Sequence, residues 1–380
     1  MSIVNRVKLR GQNKMSLGFR KKLDHVLLYL GARNLLRFVS INPSAVEFRL
    51  TENCNSRCVM CHAWKNKSVN ELSTEEIKDA LGQLRGIGID TVIFLGGEPL
   101  LRPDIGEVIK EASLLKFRVI LLVTNGLLLE EKAEELLKNG ITHLSVSIDG
   151  FGYSNEIIRG IKGGYEKAIS GIQKVQKLKA DMNSNVIVSI LTNLLMKQNV
   201  DTIQQLVEVS RDLGVYWSFN LLDSNLDIFK GIPFSDIMIE DTEKIDKTID
   251  YLLKVRRESP ELISSCEHML NYARGYLKAP AMNKYHCVLG YEALHVGSHG
   301  EILPCWIMEP IGSLRTTKLR DMVRTKKHRE LAEKIYRREC PGCTNLCMYS
   351  IVIEHLISHK VHCESKSKKK PESLGTLNQD

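Results

Sequence analysis

Between residues 46 and 221, six short strand-like runs alternate with amphipathic helical stretches, and few folds accept that alternation. The first helix is well signalled. Ser73 followed by Glu76 forms a capping box, Ile77, Ala80, Leu81 and Leu84 make a buried stripe, and Gly86 and Gly88 stop it. Residues 91–95, Thr-Val-Ile-Phe-Leu, are an apolar run of the kind a strand buried on both faces shows. Helices over 105–115, 130–138, 165–178 and 202–213 then lead to strands over 119–123, 143–148, 186–191 and 215–221. Such alternation implies right-handed βαβ units and a parallel sheet with functional loops at the strand C-termini. The pattern by itself fits either a six-stranded partial barrel or an open doubly wound sheet.

The first of these runs, residues 46–50, is read as a short apolar strand that passes directly into Cys54-Asn55-Ser56-Arg57-Cys58-Val59-Met60-Cys61. Three thiols in eight residues are a metal site. Four cysteines close an ordinary zinc or iron-sulfur site, so three leave one coordination position open. A zinc site completed by His62 is the bland alternative. The second strand ends in Gly96-Gly97-Glu98-Pro99, at the same end of the fold. Two glycines let backbone come close to a ligand, and Glu98 or the exposed carbonyls can accept from an ammonium group. Thr124-Asn125-Gly126 and Ser147-Ile148-Asp149-Gly150 end the third and fourth strands with small polar groups, each ordinary turn chemistry when taken alone.

The three-cysteine spacing and the Gly-Gly-Glu-Pro loop together resemble the radical S-adenosylmethionine superfamily over about residues 44–225. One departure is Met60, where that family usually has an aromatic residue before its third cysteine; a flexible thioether can still pack on an adenine ring. The resemblance implies a partial (βα)6 TIM-like barrel and a four-iron, four-sulfur cluster on Cys54, Cys58 and Cys61 with one iron free for S-adenosylmethionine. It also implies contacts to that cofactor from Met60, Gly96, Gly97, Glu98, Pro99, Thr124, Asn125 and Ser147. Arg159 resembles the arginine that pairs with the cofactor carboxylate in maturase-like members, and Asn193 is a weaker candidate of the same kind. The implied chemistry is reductive cleavage of the cofactor to a 5'-deoxyadenosyl radical that takes a hydrogen atom from a substrate, with an electron donor such as ferredoxin or flavodoxin.

Cysteines return at Cys287, Cys305, Cys340, Cys343 and Cys347. They resemble the SPASM and twitch extensions that hold auxiliary iron-sulfur clusters, although the spacing is shortened and one cysteine is missing. One auxiliary four-iron cluster on Cys287, Cys305, Cys340 and Cys343 is expected, with Cys347 or Cys363 as substitutes; a zinc tetrathiolate is the rival. Cys266 stands apart as a small buried hydrophobe. The substrate is either a small molecule undergoing oxidation or rearrangement, or a ribosomal peptide or protein. Against the peptide, only about 45 residues precede the first strand. A non-catalytic zinc scaffold is the remaining alternative.

Composition sets the frame. The 380 residues, 43% hydrophobic, suffice for one large domain and a smaller one. Expected segments are a basic N-terminal helical arm (1–43), the barrel (44–239), a helical bridge (240–282), a small cysteine-rich extension (283–363) and a disordered basic tail (364–380). Ten cysteines without a signal peptide suit metal ligation in a reducing cytoplasm, and no stretch approaches a membrane span. Much of the net charge of +8 lies in residues 1–40, where nine Lys or Arg face the single acid Asp24. Leu23, Val26, Leu27 and Leu30 form a stripe there, a candidate for peripheral membrane contact or for packing on the barrel. No nucleic-acid partner is expected.

Overall fold

The computed structural model describes residues 39–66, 69–193, 195–222, 231–279 and 286–344. The N-terminal arm through residue 38, Cys347, Cys363 and the basic tail lie outside the described residues.

Six βα units come first, in chain order: β1 (Ala45–Arg49), α1 (Thr74–Gly86), β2 (Thr91–Leu95), α2 (Ile105–Leu114), β3 (Val119–Thr124), α3 (Leu129–Lys138), β4 (His143–Ser147), α4 (Tyr153–Arg159), α5 (Gly164–Asp181), β5 (Ile187–Asn193), α6 (Ile203–Asp212) and β6 (Tyr216–Asn220). The capping box of α1 is present: the Glu76 N–H donates to Ser73 Oγ and the Ser73 N–H donates to the Glu76 carboxylate. Removing a cap of this kind costs about 1 kcal/mol.

The strands have two different faces. In β1 and just after it, Val46, Phe48 and Leu50 are buried under the helices, whereas Glu47 and Arg49 line a cavity on the other side. The run read as apolar is therefore an alternating strand. In β2 likewise Val92 and Phe94 are fully buried while Ile93 and Leu95 face the cavity, which corrects the expectation of burial on both faces. The reason is curvature: a sheet bent towards a barrel packs its convex face on helices and leaves its concave face around an interior space.

The seven-residue α4 was not expected from the sequence, because it is too short to show a period. Its partner is the cysteine loop. The Arg57 and Val59 N–H groups donate to the Arg159 and Ile158 carbonyls (3.0 and 2.9 Å), and Ile158 packs with Cys58 and Met60 in a small satellite core. Gly160, at φ 67°, ends the helix where a Cβ would meet the Arg57 carbonyl at 2.5 Å.

Two further helices, α7 (Thr242–Glu258) and α8 (Glu267–Lys278), are tied by the Arg274–Asp250 and Lys278–Asp246 ion pairs. Residues 262–264 bond to Trp217 (2.7 and 3.0 Å), covering the β6 edge. The chain then runs through α9 (Leu289–Glu292), β7 (Ala293–Val296), β8 (Glu301–Leu303), β9 (Gly312–Ser313), α10 (Leu319–Met322) and α11 (Lys326–Arg337). The sheet order is β6-β5-β4-β3-β2-β1-β7-β8-β9, an open nine-stranded sheet. Because β7 pairs in parallel with β1, in register Glu47↔His295, the cysteine-rich segment continues the barrel's own sheet. Among the described residues no helix is long and apolar enough to cross a membrane.

Candidate active site

The concave face of the sheet encloses a cavity of about 840 Å³. Cys54, Cys58 and Cys61 line it at the C-terminal end of β1, and Cys287, Cys305, Cys340 and Cys343 line it from the extension. Two groups of thiols far apart in sequence thus share one space. Burial pushes the Cys58 thiol up to about 12 and raises Cys54 and Cys61 as well, so thiolates here require a neighbouring cation. Two backbone donors already face the sulfurs, Ser56 N–H to Cys54 Sγ (3.5 Å) and Ala63 N–H to Cys61 Sγ (3.4 Å). Donors of this type orient cluster ligands and tune them, and the loop therefore fits an iron-sulfur group. Met60 is buried behind the loop and touches the cavity.

The Gly-Gly-Glu-Pro loop is bonded to the cysteine loop. The Gly97 N–H donates to the Thr51 carbonyl (2.8 Å) and the Glu98 N–H to the Asn53 carbonyl (2.7 Å). A Cβ on Gly97 would sit 2.2 Å from the Asn53 oxygen, and one on Gly96 2.5 Å from the Thr51 oxygen. Both glycines therefore permit backbone-to-backbone contact between loops, and both line the cavity. Glu98 is 1% exposed, and its carboxylate accepts from Thr124 Oγ1 (2.7 Å), the Asn125 N–H (2.7 Å) and the Leu100 N–H (3.0 Å). Burial raises its pKa against those three donors. This carboxylate is the clasp joining the ends of β2 and β3, and Glu98 also lines the cavity. Pro99 opens the short 3-10 turn behind it. Thr124 is spent on this clasp, and Asn125 Nδ2 donates to Asn55 Oδ1 (2.7 Å) and Ser56 Oγ (3.0 Å) in the cysteine loop. Ser147 lines the cavity.

Arg159 approaches the cysteines from α4. Its Nε lies 2.6 Å from Asp149 Oδ2 in a close ion pair whose angle is not that of a hydrogen bond, and Nη1 lies 4.0 Å from Cys58 Sγ. Burial works against its charge, but Asp149 and the thiols outweigh that and hold the guanidinium protonated. Asp149, fully buried, also accepts at Oδ1 from the Asn193 N–H and Nδ2 (2.7 and 3.0 Å). Sequence reading placed Asp149 in a turn and missed it as the anchor of this network; an acid directly ending an apolar strand was the available signal.

On the extension side, burial pushes Cys305 up to about 12 and Cys287 well above its usual range, with Cys340 and Cys343 close enough to add to both. Cys266, at the start of α8, is partly buried against the main core. Among the described residues no three Cys, His, Asp or Glu side chains converge on one ion-sized point. Trp306 Nε1 donates to Glu47 Oε2 (2.5 Å), and the Arg49 guanidinium stacks 4.3 Å over the Trp306 ring, closing the seam between β1 and the extension. Glu47 and Arg49 were missed because their strand was read as apolar.

A curved parallel sheet with a three-cysteine loop at its mouth and a second thiol group in the same cavity defines an iron-sulfur enzyme of the radical type. A Radical SAM superfamily model matches residues 48–209, and a model of SPASM, an iron-sulfur cluster-binding domain, matches residues 287–345. The chain belongs to the radical S-adenosylmethionine superfamily and carries a SPASM domain, so its cofactors are a four-iron, four-sulfur cluster, S-adenosylmethionine and auxiliary iron-sulfur. An AdoMet-dependent heme synthase of Methanosarcina barkeri is 28% identical over 79% of this chain and 91% of that protein. An Fe-coproporphyrin III synthase of the same organism is 28% identical over 64% of this chain and 66% of its own length. In structure, Streptococcus suis SuiB bound to precursor peptide SuiA is similar at a TM-score of 0.61 and 17% identity, covering 86% of this chain and 75% of SuiB. The AdoMet-bound anSMEcpe is similar at 0.59 and 16% identity, covering 86% of this chain and 100% of the other.

Proposed function

We propose that the chain oxidises a small carboxylated molecule of the tetrapyrrole class by hydrogen-atom abstraction, with Cys54, Cys58 and Cys61 holding the catalytic cluster and Cys287, Cys305, Cys340 and Cys343 an auxiliary one. The observation that carries this reading is the single cavity faced by both thiol groups, because a substrate lodged there lies beside both sites and an oxidative outcome needs an electron acceptor within reach. The heme synthase relative, similar over nearly its whole length, supports the substrate class; the likeness to SuiB is one of fold. When bound, the cluster and S-adenosylmethionine supply the 5'-deoxyadenosyl radical that removes the hydrogen atom. The protein's share is binding, orientation and exclusion of water. Gly96 and Gly97 keep the cofactor loop against the cysteine loop, Met60 and Ser147 offer an apolar and a hydroxyl contact, and Arg159 offers its cationic edge. Leu95, Leu121 and Val123 make a dry wall. Ferredoxin or flavodoxin is the proposed electron donor.

The test is anaerobic incubation of reconstituted protein with dithionite, S-adenosylmethionine and iron coproporphyrin III, following 5'-deoxyadenosine and the tetrapyrrole mass. Stimulated 5'-deoxyadenosine release with a change in tetrapyrrole mass is expected. Stimulation by peptides and none by tetrapyrroles would replace this reading with peptide maturation.

A further inference from the structure

Arg338 stands directly after α11, two residues before Cys340, with φ 63°. That left-handed conformation is ordinarily given to glycine at a helix end and costs other residues roughly 1–2 kcal/mol. The backbone is locked there, since the Arg338 N–H donates to the Ile335 carbonyl (3.1 Å) and the Glu339 N–H to the Lys334 carbonyl (2.9 Å). A large cationic side chain has thus been placed where glycine would be cheaper. Arg338 lines the cavity, together with Ile335 and the four cysteines of the extension.

Among the described residues, Arg338 is the only partly buried arginine whose guanidinium has no ion pair, hydrogen bond or ring contact. Arg102 pairs with Asp104, Arg159 with Asp149, and Arg329 donates to the Val39 carbonyl. The other left-handed arginine, Arg324, donates to the Ile41 carbonyl and Asn42 Oδ1. The acids of the cavity wall are also engaged: Glu47 by Trp306, Glu52 by Arg49, Glu98 by Thr124 and Asn125, and Glu301 by the His299 N–H. A half-buried arginine with an unpaired guanidinium, lining a cavity whose acids are satisfied, is a site for an anion, and its planar fork matches a carboxylate. Strain of this kind persists where the position has work to do.

We infer that Arg338 anchors a substrate carboxylate at the extension side of the cavity, beside the thiols of the extension. As a tetrapyrrole propionate site this rests on the function proposed above; as a carboxylate site it stands on the geometry alone. The carboxylate of S-adenosylmethionine is the competing source.

Arg338→Gly separates anchor from scaffold, because glycine relieves the backbone while removing the cation. Arg338→Gln is the control that keeps a long side chain. At matched iron content, the Gly variant should melt at or above the wild-type temperature. Both variants should bind coproporphyrin III about tenfold or more weakly, the loss of one charge-assisted bidentate pair. Affinity for the coproporphyrin tetramethyl ester and for S-adenosylmethionine should stay within about twofold, a margin worth under half a kcal/mol. Equal binding of the free acid by wild type and variants overturns the anchor, and a fall in S-adenosylmethionine affinity overturns its assignment to substrate. If wild type binds no coproporphyrin, the tetrapyrrole reading fails and glutarate decides the anchor: a melting shift in wild type that both variants lose retains it, and equal shifts overturn it.

Discussion

Arg159 and Asp149 form a buried ion pair, Nε to Oδ2 at 2.6 Å, whose guanidinium also reaches within 4.0 Å of Cys58 Sγ. Asp149 lies two residues beyond β4 and Arg159 ends α4, so the pair fastens the end of the strand to the helix against which the cysteine loop is bonded. A positive edge beside the Cys58 sulfur is also the environment a thiolate needs.

Removing one partner of such a pair leaves an uncompensated buried charge. Asp149→Asn is therefore expected to cost about 3 kcal/mol, and Asp149→Asn with Arg159→Gln no more than the single change. Urea melts of the four proteins in the cycle provide the measurement; strictly additive costs count against the coupling.

At Gly97 even alanine is expected to be harmful, since its Cβ would press on the Asn53 carbonyl of the cysteine loop. Iron retained by the N-terminal site and melting temperature should both fall in Gly97→Ala before any cofactor is added. A variant with normal iron and stability would mean that the two loops are not held in this contact.

Replacing Cys54, Cys58 and Cys61 together by alanine should abolish reductive cleavage of S-adenosylmethionine and still leave about four irons per chain, the content of one four-iron cluster. Iron and zinc analysis with Mössbauer spectra reads this directly. About eight irons would mean two auxiliary clusters, and zinc without iron would exclude the assignment of the C-terminal thiols.

His328 provides a pH test that does not depend on the thiols titrating. Its Nδ1 accepts the Arg324 N–H (3.3 Å) and its Nε2–H donates to the Gly290 carbonyl (3.2 Å), the neutral form, and burial pushes its pKa down to about 4 from 6.5. The folded state thus takes up this proton at lower pH than the unfolded chain. Stability is full above pH 6.5 and is lost as pH falls towards 4, by about 2 to 3 kcal/mol between pH 7 and 4.5. His328→Gln should lack that increment in urea melts at the two pH values; an unchanged acid loss would assign it to other groups.

The sequence by itself determined the alternating elements, the capping box at Ser73, the expectation of a parallel sheet and the resemblance to the superfamily. These follow from local chemistry, namely side-chain periodicity, turn residues and the spacing of thiols within one loop, and a family model over residues 48–209 agrees with them. Only the tertiary structure decided which groups remain available. Glu98 and Thr124 look like ligands in a strand-end motif, yet they satisfy each other because two neighbouring strand ends bring them to 2.7 Å. The pairing of Glu47 with His295, and with it the joining of the cysteine-rich segment to β1, depends on residues more than two hundred positions apart, which no local pattern encodes. Arg338 likewise reads as one more basic residue at a helix end. Its position among satisfied acids, with its own charge unmatched, exists only once the concave sheet has gathered both groups of cysteines around one cavity.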